Sequence, residues 1–380
     1  MMRWLLIAVV GPPIVLGLLI VGFFAVGPSA ETRAERMFDR QVTLWEDRSA
    51  RAESTDALRS FNPEWDLMWR LFLVLAVSDH ALAGSTNEAR WLSLIDSVIE
   101  QTLADEADHG QAYFLLPYVQ YSPFQDPSKR SLFVDGEIAL MMGARRLVRD
   151  DRWGPEHRQR VDQMTAQFAR SPAGLPESYP DEAWLFCNTN ALVAIRMADV
   201  LDGTDHRDLI ESWTENASTN LVDESSGLLG SEFTWSAEPL DGPEGSSLWL
   251  VAVNLQLLDA KLAEAQYAGA RRDLLHGLLG LMWATEWGPD RQGPHDIDSG
   301  PIVPLFEASP SSSGFALLAA HAFDDGPRYR GLTRALRAAD VVLALDPRFA
   351  EEIASNPMGE VVLLHGLTFG PLWERVGPLR

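Results

Sequence analysis

Cysteine occurs once in the chain, at Cys187, and its surroundings hold the first candidates for chemistry. The stretch Tyr179-Pro-Asp-Glu-Ala-Trp-Leu-Phe-Cys-Asn-Thr-Asn190 sets the thiol near two carboxylates, Asp181 and Glu182, with the amide of Asn188 and the phenol of Tyr179 beside them. A thiol and two acids supply the parts of proton transfer or nucleophilic attack. The same parts also describe a helix cap over a buried cysteine. Pro180 followed by Asp181 and Glu182 reads as a helix start, because acids there face the positive end of the helix dipole. Cys187 comes five residues after Glu182, so the two need not share a helix face.

Glu137 is the second candidate. It precedes Ile-Ala-Leu-Met-Met in a strongly apolar segment. A carboxylate there is either paired, with Arg145 or Arg146 the nearest cations in sequence, or carries a raised pKa suited to proton transfer. Asp66, with Arg70 one turn on, closes the motif Asn62-Pro-Glu-Trp-Asp66. With Tyr179 and Asn188 it is read as orienting a substrate. Glu244, Asp296, Asp298 and His365 complete that substrate-binding set. Each has a structural alternative. Asn62 and Pro63 make an N-cap with a first-turn proline, and Gly242-Pro-Glu-Gly245 is turn chemistry. Asp296 and Asp298 form an acid pair or a cation site, but without the rest of an EF-hand loop their spacing does not specify calcium. Zinc-type Cys and His spacing, glycine-rich phosphate loops and a Gly-x-Ser-x-Gly elbow are absent from the sequence. The expected chemistry needs no metal and no cofactor.

Twelve helices are expected to hold these residues. Six are strongly apolar: Pro63 to Ala83, Ser131 to Val148, Trp184 to Leu201, Ser246 to Leu258, Ser312 to Ala322 and Gly359 to Trp373. They alternate with six charged or one-faced segments: Glu31 to Ala50, Glu88 to Ala104, Pro155 to Arg170, Asp205 to Val222, Leu262 to Thr285 and Arg328 to Leu345. A helix apolar on nearly every face must be surrounded by protein. Six such helices inside six amphipathic ones predict an all-α fold, an (α/α)6 barrel in one domain over residues 31–380. The long polar connections lead into the apolar helices and the short ones lead out. The inner N-termini, with their free N–H groups and the candidate acids, therefore converge on one cavity. No short repeating fingerprint of a helical solenoid is present.

The 380 residues suffice for a large core, and the net charge of −23 disfavours nucleic acid as a partner. One cysteine excludes an internal disulfide. Trp4 to Val26 is a 23-residue run without a charge, long enough to span a bilayer, and Gly11-Pro-Pro13 is its one interruption. Pro28 disrupts the nearest signal-cleavage pattern, so residues 1–30 are expected to form an uncleaved transmembrane anchor with the barrel on the extracytoplasmic side.

The middle of the chain, roughly Asn62 to Ala320, resembles the linalool dehydratase/isomerase family. Phe186-Cys187-Asn188 followed by Ala-Asp-Val-Leu-Asp-Gly-Thr-Asp-His206 is similar to the family's cysteine–asparagine segment and the turn after it. Gly136-Glu-Ile-Ala-Leu-Met141 and the serine- and glycine-rich approach to Phe315 are further similarities. The resemblance implies an (α/α)6 barrel and cofactor-free dehydration or isomerisation of small tertiary and allylic terpene alcohols. It implies acid–base work by two cysteines, a histidine, an aspartate and tyrosines. Cys187 matches the second cysteine. The region Pro176 to Ser178 offers no thiol for the first, and Glu137 stands where the histidine is expected. The expected function is a membrane-anchored lyase or isomerase acting on a small hydroxylated, isoprenoid-like molecule. Glu137, Cys187, Glu182 and Asp181 are its catalytic groups. The alternatives are carbohydrate chemistry by a carboxylate pair, with some of the 13 tryptophans as sugar platforms, and a non-catalytic, membrane-tethered binding protein.

Overall fold

Helices begin where the sequence supplies a cap and run where apolar side chains are continuous. Asn62 accepts a hydrogen bond from Glu64 N (2.9 Å), and Pro63 occupies the first turn of the helix Pro63–Leu82. Asp259 caps Ala260–Asp273 and Ser309 caps Pro310–Ala322 in the same way. The computed structural model describes residues 29–345 and 356–379, apart from Asp290, Gln292, Pro294, His295, Asp298, Pro304 and Leu305.

Among those residues there are fourteen α-helices. In chain order they are α1 (Ala30–Glu46), α2 (Arg48–Phe61), α3 (Pro63–Leu82), α4 (Glu88–His109), α5 (Leu132–Val148), α6 (Gly154–Arg170), α7 (Leu185–Asp202), α8 (Arg207–Asn220), α9 (Gly245–Leu258), α10 (Ala260–Asp273), α11 (Pro310–Ala322), α12 (Gly326–Leu345), α13 (Pro357–Thr368) and α14 (Pro371–Val376). The fold is mainly helical, as the periodicity predicts.

Three small antiparallel sheets join them. Ala183–Trp184 (β1), Glu232–Phe233 (β2) and Pro239–Asp241 (β3) form one, in the order β1-β2-β3. Leu275–Leu278 (β4) pairs with Leu281–Ala284 (β5), and Asp296–Ile297 (β6) with Gly300–Pro301 (β7).

The six apolar helices, α3, α5, α7, α9, α11 and α13, touch one another in a closed cycle, each packing on the one before it and the one after. The remaining long helices lie against them: α4 on α3, α6 on α5, α8 and α10 on α9, α12 on α11, and α1 on α13. One continuous hydrophobic core runs from Ala34 to Val376. α5 and α7 approach each other closely. A Cβ on Gly136 would lie 3.3 Å from that of Ala191, and one on Gly143 would lie 2.9 Å from Met197 Sδ. Two glycines seven residues apart let these backbones meet, which fixes Glu137 beside α7.

α1 runs against α3. Its Phe38 meets His80 near the C-terminal end of α3, and its Trp45 meets Trp69 farther toward the N-terminal end. Phe61, at the end of α2, packs against Trp65 with its ring tilted by 40°.

Four expectations need correction. Arg48–Phe61 is a helix of its own beyond the expected segment. The segment expected as one helix from Leu262 to Thr285 ends at Asp273 and continues as the β4–β5 hairpin. Pro180 and Asp181 do not open a helix. Tyr179 and Glu182 exchange backbone hydrogen bonds across a turn, Asp181 adopts φ +62°, and α7 begins only at Leu185. Gly359 to Trp373 divides into α13 and α14. The expected span Trp4 to Val26 lies outside the described residues; among those described, no helix is long and apolar enough to cross a membrane.

Candidate active site

Glu137 lies in the second turn of α5 and is fully buried. Neither of its carboxylate oxygens has a hydrogen-bond partner. The cations near it in sequence turn elsewhere: Arg145 binds Asp96 and Arg149 O, while Arg146 binds Asp150 and Asp202. Burial, with the charge of Glu64 added, pushes the Glu137 carboxyl well above the ordinary range. Burial thus favours its protonated form, the form a general acid needs.

Cys187, in the first turn of α7, faces the same region. Burial pushes its thiol well up; a hydrogen bond with Ser178 opposes this, and the neighbouring Glu137 and Glu64 carboxyls add to it. The group is a thiol rather than a thiolate, so proton donation or shaping of the pocket suits it better than nucleophilic attack. Tyr179 closes the cluster. Its hydroxyl donates to Glu64 Oε1 (2.5 Å) and accepts from Leu116 N (2.9 Å). Its ring stacks on Tyr118, with centroids 4.9 Å apart and an interplanar angle of 20°. The N-terminal ends of α3, α5 and α7 thus bring Glu64, Glu137 and Cys187 together, with Tyr179 arriving from the turn before β1.

A second pair of acids lies at the edge. Tyr118 Oη donates to Glu182 Oε2 (2.7 Å), and Glu182 is hydrogen-bonded to Glu232 of β2. Burial raises both carboxyls. The neighbouring Glu182 takes Glu232 further, to about 7 from an ordinary 4.5. Two carboxyls in contact hold one proton between them more easily than two charges.

This pair predicts a pH effect. Between about 4.5 and about 7 the folded chain keeps a proton on Glu232 that the unfolded chain gives up. Its contribution to stability is therefore full below that window and is lost as pH rises through it. Glu232→Gln removes the titration. The fall in melting temperature from pH 5 to pH 8 should be shallower in the variant; identical slopes would show that Glu232 titrates normally. A second variant tests Tyr179. Tyr179→Phe strips the acceptor from Leu116 N and the donor from Glu64, and should cost about 1–3 kcal/mol in chemical denaturation.

The other expected site residues that are described make other contacts. Asp181 is exposed; its N–H binds Glu177 Oε1 (2.6 Å), and its carboxylate accepts from Trp235 N (3.1 Å). It fastens a turn to the β2–β3 loop rather than joining Glu137. Asn188 donates to Pro176 O (3.3 Å) and Trp184 O (3.0 Å), tying down the strand before α7. Asp66 is a structural anion. It clasps Arg70 through both oxygens (2.8 and 2.9 Å), on the side of α3 that meets α4. Glu244 stands at the N-cap of α9, its backbone N–H on Ser231 Oγ (3.0 Å). Asp296 is in β6, paired with Pro301, and Asp298 lies outside the described residues. His365 belongs to the opposite end of the molecule. It is buried 3.5 Å from Asp79, near the C-terminus of α3 and among Phe72, Phe369 and Trp373. Asp79 is fifteen residues beyond Glu64, about 22 Å along the helix axis.

Sequence reasoning passed over Glu64, Glu232 and Tyr118. Glu64 sat inside a motif already noted, two residues before the acid that was chosen. Glu286 was missed as well. Its carboxylate accepts from Ser246 N (2.9 Å), Ser246 Oγ (2.5 Å) and Ser309 Oγ (2.7 Å), joining the N-termini of α9 and α11. Among the described residues, no three His, Cys, Asp or Glu side chains converge as a metal-binding group.

Two surface depressions, of about 540 and 440 Å³, lie away from Glu137. One is lined by Arg196, Asp199 and Arg375, the other by Gln111, Val119 and Lys129. Neither is lined by Glu137, Cys187 or Glu64. No protein-family model matches the sequence, and no curated protein matches it.

Proposed function

We propose that the chain is a cofactor-free acid–base enzyme, a lyase or isomerase acting on a small hydroxylated, isoprenoid-like molecule. We further propose that its cycle of six buried helices is the inner layer of an (α/α)6 barrel. The single observation that carries the activity is Glu137: a fully buried carboxyl with both oxygens free, next to a second carboxylate and a thiol. Leaving such a group unpaired costs stability, and a protein retains that cost where a reaction needs it.

In this reading Glu137 gives its proton to the substrate hydroxyl and the C–O bond breaks, releasing water. Glu64, oriented by Tyr179, takes a proton from the adjacent carbon, and its electron pair becomes the new double bond. Returning the water to the other end of an allylic unit gives isomerisation. The neutral Cys187 thiol and the apolar helices surround the allylic cation left when water departs, and the newly formed Glu137 carboxylate balances its charge until Glu64 takes the proton. The resemblance to the linalool dehydratase/isomerase family agrees with this chemistry, with Glu137 in place of the histidine. The run from Trp4 to Val26 supports a membrane-anchored form.

Carbohydrate hydrolysis fits less well. Glu182 and Glu232 are in hydrogen-bond contact, closer than the roughly 5 Å that a retaining pair requires. The test is incubation of the full chain with linalool and with shorter tertiary allylic alcohols, without added cofactor, followed by mass analysis of the extract. Products lighter by one water, or isomeric alcohols, are expected. No conversion of any allylic alcohol would overturn the proposal.

A further inference from the structure

Two amides deeper in the same helix cycle are used by nothing described so far. Asn190 of α7 and Asn254 of α9 are 2 % and 1 % exposed. Asn254 Nδ2 donates to Asn190 Oδ1 (2.7 Å) and to Thr189 Oγ1 (3.1 Å). Asn190 Nδ2 and Asn254 Oδ1 then have no protein partner. Exchanging nitrogen and oxygen on both amides preserves their mutual bond and again leaves one donor and one acceptor, so the conclusion does not depend on how the amides are turned.

Position adds a second observation. Asn190 lies three residues beyond Cys187 on one helix face, about 4.5 Å deeper along α7. On one flank of that face Ala191 meets Gly136 of α5, and on the other Asn190 meets Asn254 of α9. It therefore looks inward between two neighbours, below the thiol that stands beside Glu137.

A free donor and a free acceptor, on two amides bonded to each other, match one group above others: a hydroxyl, which accepts from the first and donates to the second. A carbonyl satisfies only the donor, and an apolar chain satisfies neither. We propose that Asn190 and Asn254 form a second polar subsite that takes a hydroxyl remote from the one on which Glu137 acts, so that the preferred ligand is a diol. This rests on the reading of Glu137 above and narrows its substrate class.

The experiment compares linalool with 8-hydroxylinalool by ligand-induced thermal shift on the full chain. It uses wild type, Asn190→Leu/Asn254→Leu and Glu137→Gln. Wild type should bind the diol about tenfold more tightly, the worth of one well-placed hydrogen bond. The double variant should lose that preference and keep its affinity for linalool. Its melting temperature without ligand should be unchanged or higher, because both members of an under-satisfied buried pair are replaced by apolar groups of similar size. Equal affinity for the two alcohols in wild type, or binding of neither, overturns the proposal, as does a destabilised double variant, which would make the amides purely structural. Glu137→Gln should retain the diol preference. An inert acid and an absent second subsite are thereby told apart.

Discussion

Glu137→Gln should abolish turnover while leaving the fold intact. The substitution keeps the shape of the side chain and removes only its transferable proton. A positioned general acid is worth about 10²–10⁴-fold in rate, so kcat should fall by that factor. Stability should move the other way above mild acidity. Burial and the charge of Glu64 lift the Glu137 carboxyl well above its unfolded value. The folded chain thus holds a proton that the unfolded chain releases, and stability is lost as pH rises from the unfolded pKa through the folded one. Glutamine carries no such linkage. At neutral pH the variant should unfold at an equal or higher temperature than wild type, and its stability should be flatter with pH. The measurement is a pair: kcat on an allylic alcohol, and melting temperature from pH 5 to pH 8. A variant that unfolds at lower temperature across the whole range would show that Glu137 holds the structure together. One that turns over normally would remove it from the chemistry.

Asp66→Ala should give the opposite pattern, a large loss of stability with no selective effect on substrate. Arg70 is 2 % exposed and is held by both oxygens of Asp66, by Asp105 (2.7 Å) and by Thr102 (3.3 Å). Burial works against the guanidinium, but Asp66 and Asp105 outweigh it and push its pKa up, so the charge persists. Removing Asp66 leaves a buried cation with one carboxylate, and breaking such a pair costs about 3–5 kcal/mol. Replacing both partners by Leu should recover much of the loss, because the only charge then left without its partner is the part-exposed Asp105. Chemical denaturation of the two single variants and the double variant measures the coupling. A stable Asp66→Ala with a raised KM would return Asp66 to the substrate.

The two acids of that motif show what the sequence could convey. Glu64 and Asp66 are two residues apart, about 200° around a helix, so only one can face the interior. In α3 apolar side chains cover nearly the whole circumference, and no amphipathic stripe marks the inner side. The helix itself was legible from Asn62, Pro63 and the apolar run; its rotation was not. The opposite holds at α5. Glu137 was legible because it enters a segment with no other polar residue before Arg145, whereas Asp135, two positions before it, binds Arg130 and Arg160 on the other side.

Local turns were harder to read. The β4–β5 hairpin turns at Leu279 and Gly280, with φ of +52° and +83°. Leucine in a left-handed turn is uncommon, so Leu-His-Gly-Leu-Leu-Gly-Leu looks like more helix. At Asp181 the acid that suggested a helix start instead occupies φ +62°, and its N–H is taken by the buried carboxylate of Glu177. That contact comes from Pro176-Glu177 doubling back on the loop at Gln125 and Asp126, and no short window of sequence contains it.

The direction of α1 carries a geographical consequence. Phe38 lies beside His80 and Trp45 beside Trp69, so the chain climbs from the floor of the helix cycle toward the level of Glu64. The described chain therefore enters at the end of the cycle remote from Glu64 and Glu137. In the membrane-anchored form proposed above, the bilayer would lie under the protein like a pedestal, at the end of the helix cycle remote from the buried Glu137. Such an enzyme would collect its alcohol from solution or from a carrier overhead, and an oily precursor dissolved in the pedestal would have to leave the lipid before it could react.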